Sequence, residues 1–224
     1  MIMMNDVFAI IVAAGLGKRF GSPKPFAVLK GKRILDYCLE TFNGHPGIFE
    51  MVLVLRETSE ESYFLNRFEK LKAVAAGGER RQDSVFFGFQ KINPAQGDIV
   101  LIHDAARPLV KAELIDSIIE KTREKGAAIP VLPVSDTLKK INGDRVFQTL
   151  HRQGLYLTQT PQGFSCEILR RAFKENGENQ EMYTDESALV EKLGQDVFIV
   201  PGDPSNLKIT FPDDLKIAEA LIEN

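Results

Sequence analysis

Five consecutive apolar residues, Phe8-Ala9-Ile10-Ile11-Val12, run directly into Ala13-Ala14-Gly15-Leu16-Gly17-Lys18-Arg19, with Pro23-Lys24 close behind. A short, uninterrupted apolar run of this kind reads as a strand buried on both faces. Such strands belong to parallel sheets covered by helices, so this one feature already narrows the architecture. The turn after it narrows the chemistry. Gly15 and Gly17 lack the Cβ atoms that would hold a backbone away from phosphate oxygens, and exposed N–H groups in such a turn form an anion-binding concavity. Lys18, Arg19 and Lys24 add full positive charges, so the turn is built to receive a nucleotide or another polyphosphate.

Two common phosphate motifs do not fit. A P-loop requires Ser or Thr after Gly-Lys, whereas Gly17-Lys18 is followed by Arg19. The dinucleotide fingerprint requires its third glycine one position earlier than Gly21, and the expected acidic ribose partner is replaced by Asp36 and Glu40 in a helical segment.

The remaining pattern is an alternation of strands and helices. Apolar runs at 8–12, 50–55, 73–76, 99–103, 127–133 and 197–200 read as strands, while Ile34, Leu35, Cys38, Leu39 and Phe42, and Leu114, Ile115, Ile118 and Ile119, recur at helical spacing. Repeated βαβ units predict an α/β, Rossmann-like fold with a mostly parallel twisted sheet flanked by helices. Ligands in such sheets bind beyond the carboxyl ends of the strands, which selects the loops after Val12, Ala76 and His103. One segment breaks the alternation. Two strand-like stretches flank Asn142-Gly143-Asp144, a strong hairpin signal. A hairpin is marginal alone, so an arm at about 136–150 is expected to pack on something, a partner subunit being the natural candidate. With 224 residues and no evident linker, a single domain over 1–224 is expected.

The net charge of -3 argues against general nucleic-acid binding and sets the cationic turn apart from an acidic background. Cys38 and Cys166 sit among apolar residues and read as reduced core packing. Residues 7–14 are apolar, but Asp6 precedes them and no Lys or Arg does, which does not match a signal peptide. No apolar run is long enough to cross a membrane. A cytoplasmic location is the resulting expectation.

Two further loops carry polar chemistry. His103-Asp104-Ala105-Ala106-Arg107-Pro108 places an aspartate at the end of a buried strand, where it could reach a magnesium ion held by nucleotide phosphates or simply cap a turn. His103 has no metal-ligand spacing to His45 or His151 and reads as structural. Gly77-Gly78-Glu79-Arg80-Arg81-Gln82-Asp83-Ser84 allows close approach to a flat base, with Ser84 able to bond its edge; alternatively Asp83 or Ser84 caps the following helix.

In order along the chain, AAGLGKR at 13–19, PK at 23–24, GGERRQDS at 77–84, HDAARP at 103–108, SDT at 135–137, TPQGF at 160–164, TDE at 184–186 and NLKIT at 206–210 resemble the 2-C-methyl-D-erythritol 4-phosphate cytidylyltransferases of isoprenoid biosynthesis. The resemblance implies transfer of CMP from CTP to methylerythritol phosphate. Arg19 and Lys24 would stabilise charge on the α-phosphate. Ala13, Ala14, Gly15, Gly78, Glu79 and Ser84 would line the cytidine and triphosphate site, with Asp104 and Ala105 at its ribose and magnesium end. Arg152, Lys208, Thr137, Thr160, Thr184 and Thr210 would hold the acceptor, Arg152 and Lys208 neutralising its phosphate. Family members are homodimers joined through the hairpin arm, so Thr137 and Arg152 would serve the neighbouring active site. Two positions depart from the family pattern: Pro25 where Gln is usual, and Glu79 where Asp is more frequent. Enzymes that make CDP-ribitol share most of these motifs, so a pentitol phosphate is the alternative acceptor. Cations directed at both substrates argue against a nucleotide-binding regulator.

Overall fold

The computed structural model describes residues 5–17, 20–21, 24–176 and 182–222. The chain opens with β1 (Val7–Val12), a 3-10 turn (Lys24–Phe26) and a small ribbon of β2 (Val28–Leu29) and β3 (Lys32–Arg33). Helix α1 (Ile34–Gly44), β4 (Glu50–Leu55), α2 (Glu61–Arg67), β5 (Leu71–Ala76), α3 (Arg81–Phe89) and β6 (Ile99–Asp104) follow. Next come α4 (Ala112–Lys125), β7 (Ala127–Pro133), the hairpin β8 (Leu138–Asn142) and β9 (Arg145–Leu150), β10 (Tyr156–Thr158) and β11 (Gln162–Ser165). The chain closes with α5 (Cys166–Asn176), α6 (Glu186–Glu191), β12 (Phe198–Pro201) and α7 (Asp213–Ile222).

Strand β1 pairs in parallel with β4 on one side and β6 on the other, and β5 extends the sheet beyond β4. The expected α/β sheet is therefore present, and each anticipated apolar run is a strand in it. The far side is more mixed than the sequence suggests. β11 lies antiparallel between β6 and β7. β10 also runs antiparallel along β7, while β12 pairs with β7 in parallel.

Side-chain alternation explains why both faces need cover. Val7, Ala9 and Ile11 of β1 point to one face with Leu35, Cys38, Leu39 and Phe42 of α1 and Ile115, Ile118 and Ile119 of α4. Ile10, with Val100 and Ile102 of β6, points to the other, against Val85 and Phe89 of α3 and Leu169, Ala172 and Phe173 of α5. Both cysteines are free and buried in these two layers, and burial pushes the Cys38 thiol well up, as expected for inert core packing.

The hairpin β8–β9 forms its own two-stranded sheet outside this body. Gly143, at φ 61, takes the first loop position between Asn142 and Arg145, the place where a II′ turn demands glycine. Every residue of β9 is exposed, including Val146, Phe147 and Leu150.

Candidate active site

The carboxyl ends of β1, β5 and β6 open into one cleft of about 240 Å³. It is lined by Ala13, Ala14 and Gly15 after β1, Lys24 of the 3-10 turn, Gly78 and Glu79 before α3, Ser84 within α3, Asp104 of β6, and Lys208 before α7. Nine of the residues expected at the site thus share a single depression. Arg19 lies outside the described residues.

Loop proximity depends on Gly77. A Cβ there would stand 2.2 Å from that of Ala14 and 3.4 Å from the Leu55 carbonyl. Its role is to let the loops after β1 and β5 close on each other, rather than to approach a base. Ser84 fastens the same loop, its Oγ accepting from the Gly78 N–H at 3.0 Å and donating to the Arg80 carbonyl at 3.3 Å. Helix α3 is capped by Arg80 and Asp83, whose carboxylate accepts from the Arg80 N–H at 3.1 Å. Pro25 is buried within the 3-10 turn, where its missing N–H falls among donors a helical turn leaves unpaired. Its neighbour Lys24 donates from Nζ to the Ile209 carbonyl at 3.2 Å. Glu79 is exposed at the cleft.

Asp104 forms the electrostatic centre. Lys208 Nζ donates to its Oδ2 at 2.6 Å, and Arg81 Nε donates to its Oδ1 at 3.0 Å. Burial alone raises the Asp104 carboxyl, but Arg81 and Lys208 outweigh it and hold the group far below the usual carboxylate range. Arg81 also donates from Nη1 to Glu186 Oε2 at 2.6 Å. Burial opposes the Arg81 charge, and the two carboxylates overcome it and raise the guanidinium further. Glu186 is pushed up by burial, which Arg81 offsets only in part.

Behind Asp104 lies a closed relay of neutral groups. Burial lowers His103 to about 4, so its imidazole is uncharged. Its Nε2 faces the Arg107 carbonyl at 3.1 Å and must donate there, leaving Nδ1 to accept from Thr160 Oγ1 at 3.1 Å. That hydroxyl in turn accepts from the Asp104 N–H at 3.1 Å. His103 is therefore structural, and Thr160 is a buried support of Asp104 rather than a group facing the cleft.

Other assigned residues also lie elsewhere than the cleft. Ala105 is fully buried in the core, and Ala106 lines the cleft in its stead. Thr210 donates its hydroxyl to the Lys208 carbonyl at 3.1 Å, steadying that lysine's backbone. Thr184 is exposed beside Met182 and Tyr183 in a separate depression. Thr137 and Arg152 are exposed at the base of the hairpin, where Arg152 donates to the Ser135 carbonyl.

Cations beyond the expected set also frame the site, Arg80 at the cleft among them. Arg81 stands within GGERRQDS, and its partners lie 23 and 105 residues away, beyond the reach of any local motif. Arg56 lines the cleft from the end of β4, and the strand-end rule applied to that loop would have found it. Arg107 is buried and donates to the Asn206 carbonyl at 2.8 Å and the Thr158 carbonyl at 3.2 Å. Together with the Ile209 N–H bonded to the Ala106 carbonyl at 2.8 Å, it stitches the Lys208 loop to the end of β6.

The donor set suits one metal arrangement. Magnesium is typically held by one or two carboxylates together with substrate phosphates and water. Asp104, ionised and facing the cleft, is such a carboxylate, and no cluster of three or more His, Cys, Asp or Glu is found among the described residues.

The family model for 2-C-methyl-D-erythritol 4-phosphate cytidylyltransferase matches residues 7–224. The chain belongs to this family. Curated members of it are close in both sequence and extent. The enzyme of Bacillus pumilus is 38% identical over 221 residues, covering 96% of each chain. That of Acidobacterium capsulatum is 40% identical over 227 residues, covering 95% of each. Solved structures of the family agree in fold. The Thermus thermophilus cytidylyltransferase superposes with a TM-score of 0.83 at 33% identity, covering 99% of this chain and 100% of that one. The Francisella tularensis cytidylyltransferase gives 0.84 at 31% identity, covering 96% and 99%. Membership makes the chain a nucleotidyltransferase of isoprenoid biosynthesis.

Proposed function

We propose that the chain transfers CMP from CTP to 2-C-methyl-D-erythritol 4-phosphate, releasing pyrophosphate. The observation that carries this reading is the convergence of Lys24, Lys208 and the Arg81–Asp104 pair on one cleft, beside the glycine-containing turn after β1. An oxygen of the acceptor phosphate attacks the α-phosphorus of CTP. A phosphorus–oxygen bond forms to the acceptor, and the bond from the α-phosphorus to the bridging oxygen breaks, pyrophosphate leaving with its electrons. The acceptor phosphate has a second pKa of about 6, so it arrives largely as the dianion and needs no general base.

The protein supplies alignment and neutralisation of two polyanions. Lys24 and Arg19 would face the α-phosphate, with Ala13, Ala14, Gly15, Gly78, Glu79 and Ser84 around the nucleotide. Lys208 would meet the acceptor phosphate, leaving Asp104 Oδ2 available. Magnesium bound with the triphosphate would be held by Asp104 and would neutralise phosphate charge. Thr184 and Thr210 would contact acceptor hydroxyls, with Thr160 acting through Asp104. The chain would work as a homodimer in which the exposed apolar arm of β8 and β9 crosses to the partner, bringing Thr137 and Arg152 to the partner's cleft. Reduced cysteines in both core layers support a cytoplasmic location.

The test is pyrophosphate release from CTP with methylerythritol phosphate and ribitol 5-phosphate compared side by side, with and without excess EDTA. The expected result is turnover with the first acceptor, abolished by EDTA. Preference for ribitol 5-phosphate would overturn the acceptor assignment, and undiminished turnover in EDTA would remove magnesium from the mechanism.

A further inference from the structure

Glu186 is the anomaly of this site. It is 1% exposed and does not line the cleft, yet it is a carboxylate in the sheet-facing layer with Leu189 and Val190. An unpaired buried charge is strongly unfavourable, and Glu186 is compensated by the Arg81 guanidinium at 2.6 Å. That guanidinium spends its remaining face on Asp104, with Nε at 3.0 Å and Nη2 at 2.9 Å from the same Oδ1. One planar fork thus joins a carboxylate on the cleft floor to another behind it.

The anchoring of Glu186 is itself elaborate. Asp185 caps α6 by accepting from the Ala188 N–H at 3.1 Å, and it also receives Gln162 Nε2 at 2.9 Å and Ser187 Oγ at 2.9 Å. Gln162 Oε1 accepts from the Ser187 N–H at 3.3 Å, fixing α6 to β11. Tyr183 donates its N–H to Gln82 Oε1 at 2.8 Å, so residues on either side of Thr184 grip adjacent positions of α3. The segment is held far more firmly than a solvated turn requires.

Arg81 lines the nucleotide cleft, and an arginine there has an obvious competing ligand in any incoming triphosphate. Such a contact would be made equally to bound substrate and transition state, which strengthens binding without accelerating the reaction. Resting on the function proposed above, we propose that Glu186 is a positioning residue: by holding Arg81 from behind, it keeps that guanidinium on Asp104 Oδ1 and out of the triphosphate site. The held Arg81 orients the Asp104 carboxylate so that Oδ2 faces Lys208 and the cleft. Glu186 also cancels one positive charge next to the nucleotide, so its removal leaves the cleft more attractive to a polyanion and less well ordered.

The test is a double-mutant cycle between Glu186→Gln and Arg81→Met, read on two independent quantities. The first is kcat for pyrophosphate release. The second is the Kd for CTP measured directly by titration calorimetry, with thermal unfolding recorded for each variant. Glu186→Gln preserves shape and should fold. It should lower kcat about tenfold or more while CTP binds several-fold tighter. In the Arg81→Met background the buried carboxyl loses its cation and takes up a proton, so the same substitution should change neither quantity. Glu186→Asp, which retains the charge, should recover part of kcat. Ser187→Ala is the control for a packing role, since it weakens the same short helix and should lower Tm without altering the CTP Kd. Additive effects in the cycle, or a Glu186→Gln variant whose CTP affinity is unchanged or weaker, would overturn the proposal. Absence of turnover in the wild-type chain would instead count against the proposed reaction, while the cycle on CTP affinity would still decide the role of Glu186.

Discussion

Lys208 Nζ and Asp104 Oδ2 stand 2.6 Å apart across 104 residues of sequence. The pair brings the loop before α7 onto the end of β6, so a residue of the last quarter of the chain completes a cleft begun at its start. Lys208 keeps 40% of its side chain exposed while Asp104 keeps 11%, so the lysine can turn to an incoming phosphate and the aspartate stays in place. That asymmetry suits a cation that exchanges a protein partner for a substrate.

In the proposed reaction Lys24, which lines the cleft, would act on charge that develops during transfer. Lys24→Ala is expected to lower kcat by about 10²-fold or more, with a much smaller change in CTP affinity. Steady-state kinetics combined with direct binding measures both. Loss of CTP affinity with kcat intact would show that the lysine serves only ground-state binding.

Thr160 separates a supporting role from a substrate contact. Thr160→Val leaves the Asp104 N–H and His103 Nδ1 without their buried partner, at a cost of about 1–3 kcal/mol for a group so orphaned. The variant is expected to melt lower and to lose kcat, with the acceptor KM little changed, and Thr160→Ser should restore both. A raised acceptor KM with unchanged Tm would place the hydroxyl on the substrate instead.

Gly77→Ala tests the closure of two loops. The added methyl would press on Ala14 Cβ at 2.2 Å, and overpacking of this kind costs about 1–3 kcal/mol. The expected outcome is a lower Tm together with a raised KM for CTP, because the loops after β1 and β5 are forced apart. Unchanged values for both would show that the loops can shift without consequence.

Shared active sites make a distinctive prediction for mixtures. If the arm of one subunit completes its partner's cleft, Lys24→Ala and Arg152→Ala should each be inactive, while heterodimers formed by subunit exchange would contain one site with both lesions and one with neither. Such mixtures should regain about half of the wild-type activity per heterodimer. No recovery despite proven exchange, or a fully active monomer in sedimentation, would refute sharing and leave the cytidylyltransferase reaction untouched.

Legibility in the sequence followed physical simplicity. Strands β1, β4 and β6 are unbroken apolar runs, and α1 and α4 carry clean helical spacing, so periodicity alone locates them. β11 is hidden because Gln162-Gly163-Phe164-Ser165 has neither alternation nor an apolar run. Gln162 is nevertheless fully buried, since Asp185 and Ser187 satisfy its amide from another element. The cleft-lining residues were readable because short motifs follow strand ends. Arg81 was not, because nothing local distinguishes a buried arginine from a solvated one. Thr160 shows the converse, a motif residue whose hydroxyl turns away from the cleft to hold the strand behind it.

The place of β11 between β6 and β7 has a consequence for how the protein is made. Both neighbours leave the ribosome before the strand that joins them, so the nascent chain carries two open sheet edges until residues 162–165 emerge. Helix α4 already connects those edges and can hold them near one another, yet neither can pair correctly before the gap is filled. Open edges of this kind invite pairing with other chains. Ribosome-bound chains halted just after β7 should therefore be held by chaperones and cleaved readily by protease, whereas chains extended past β12, which also pairs with β7, should resist both.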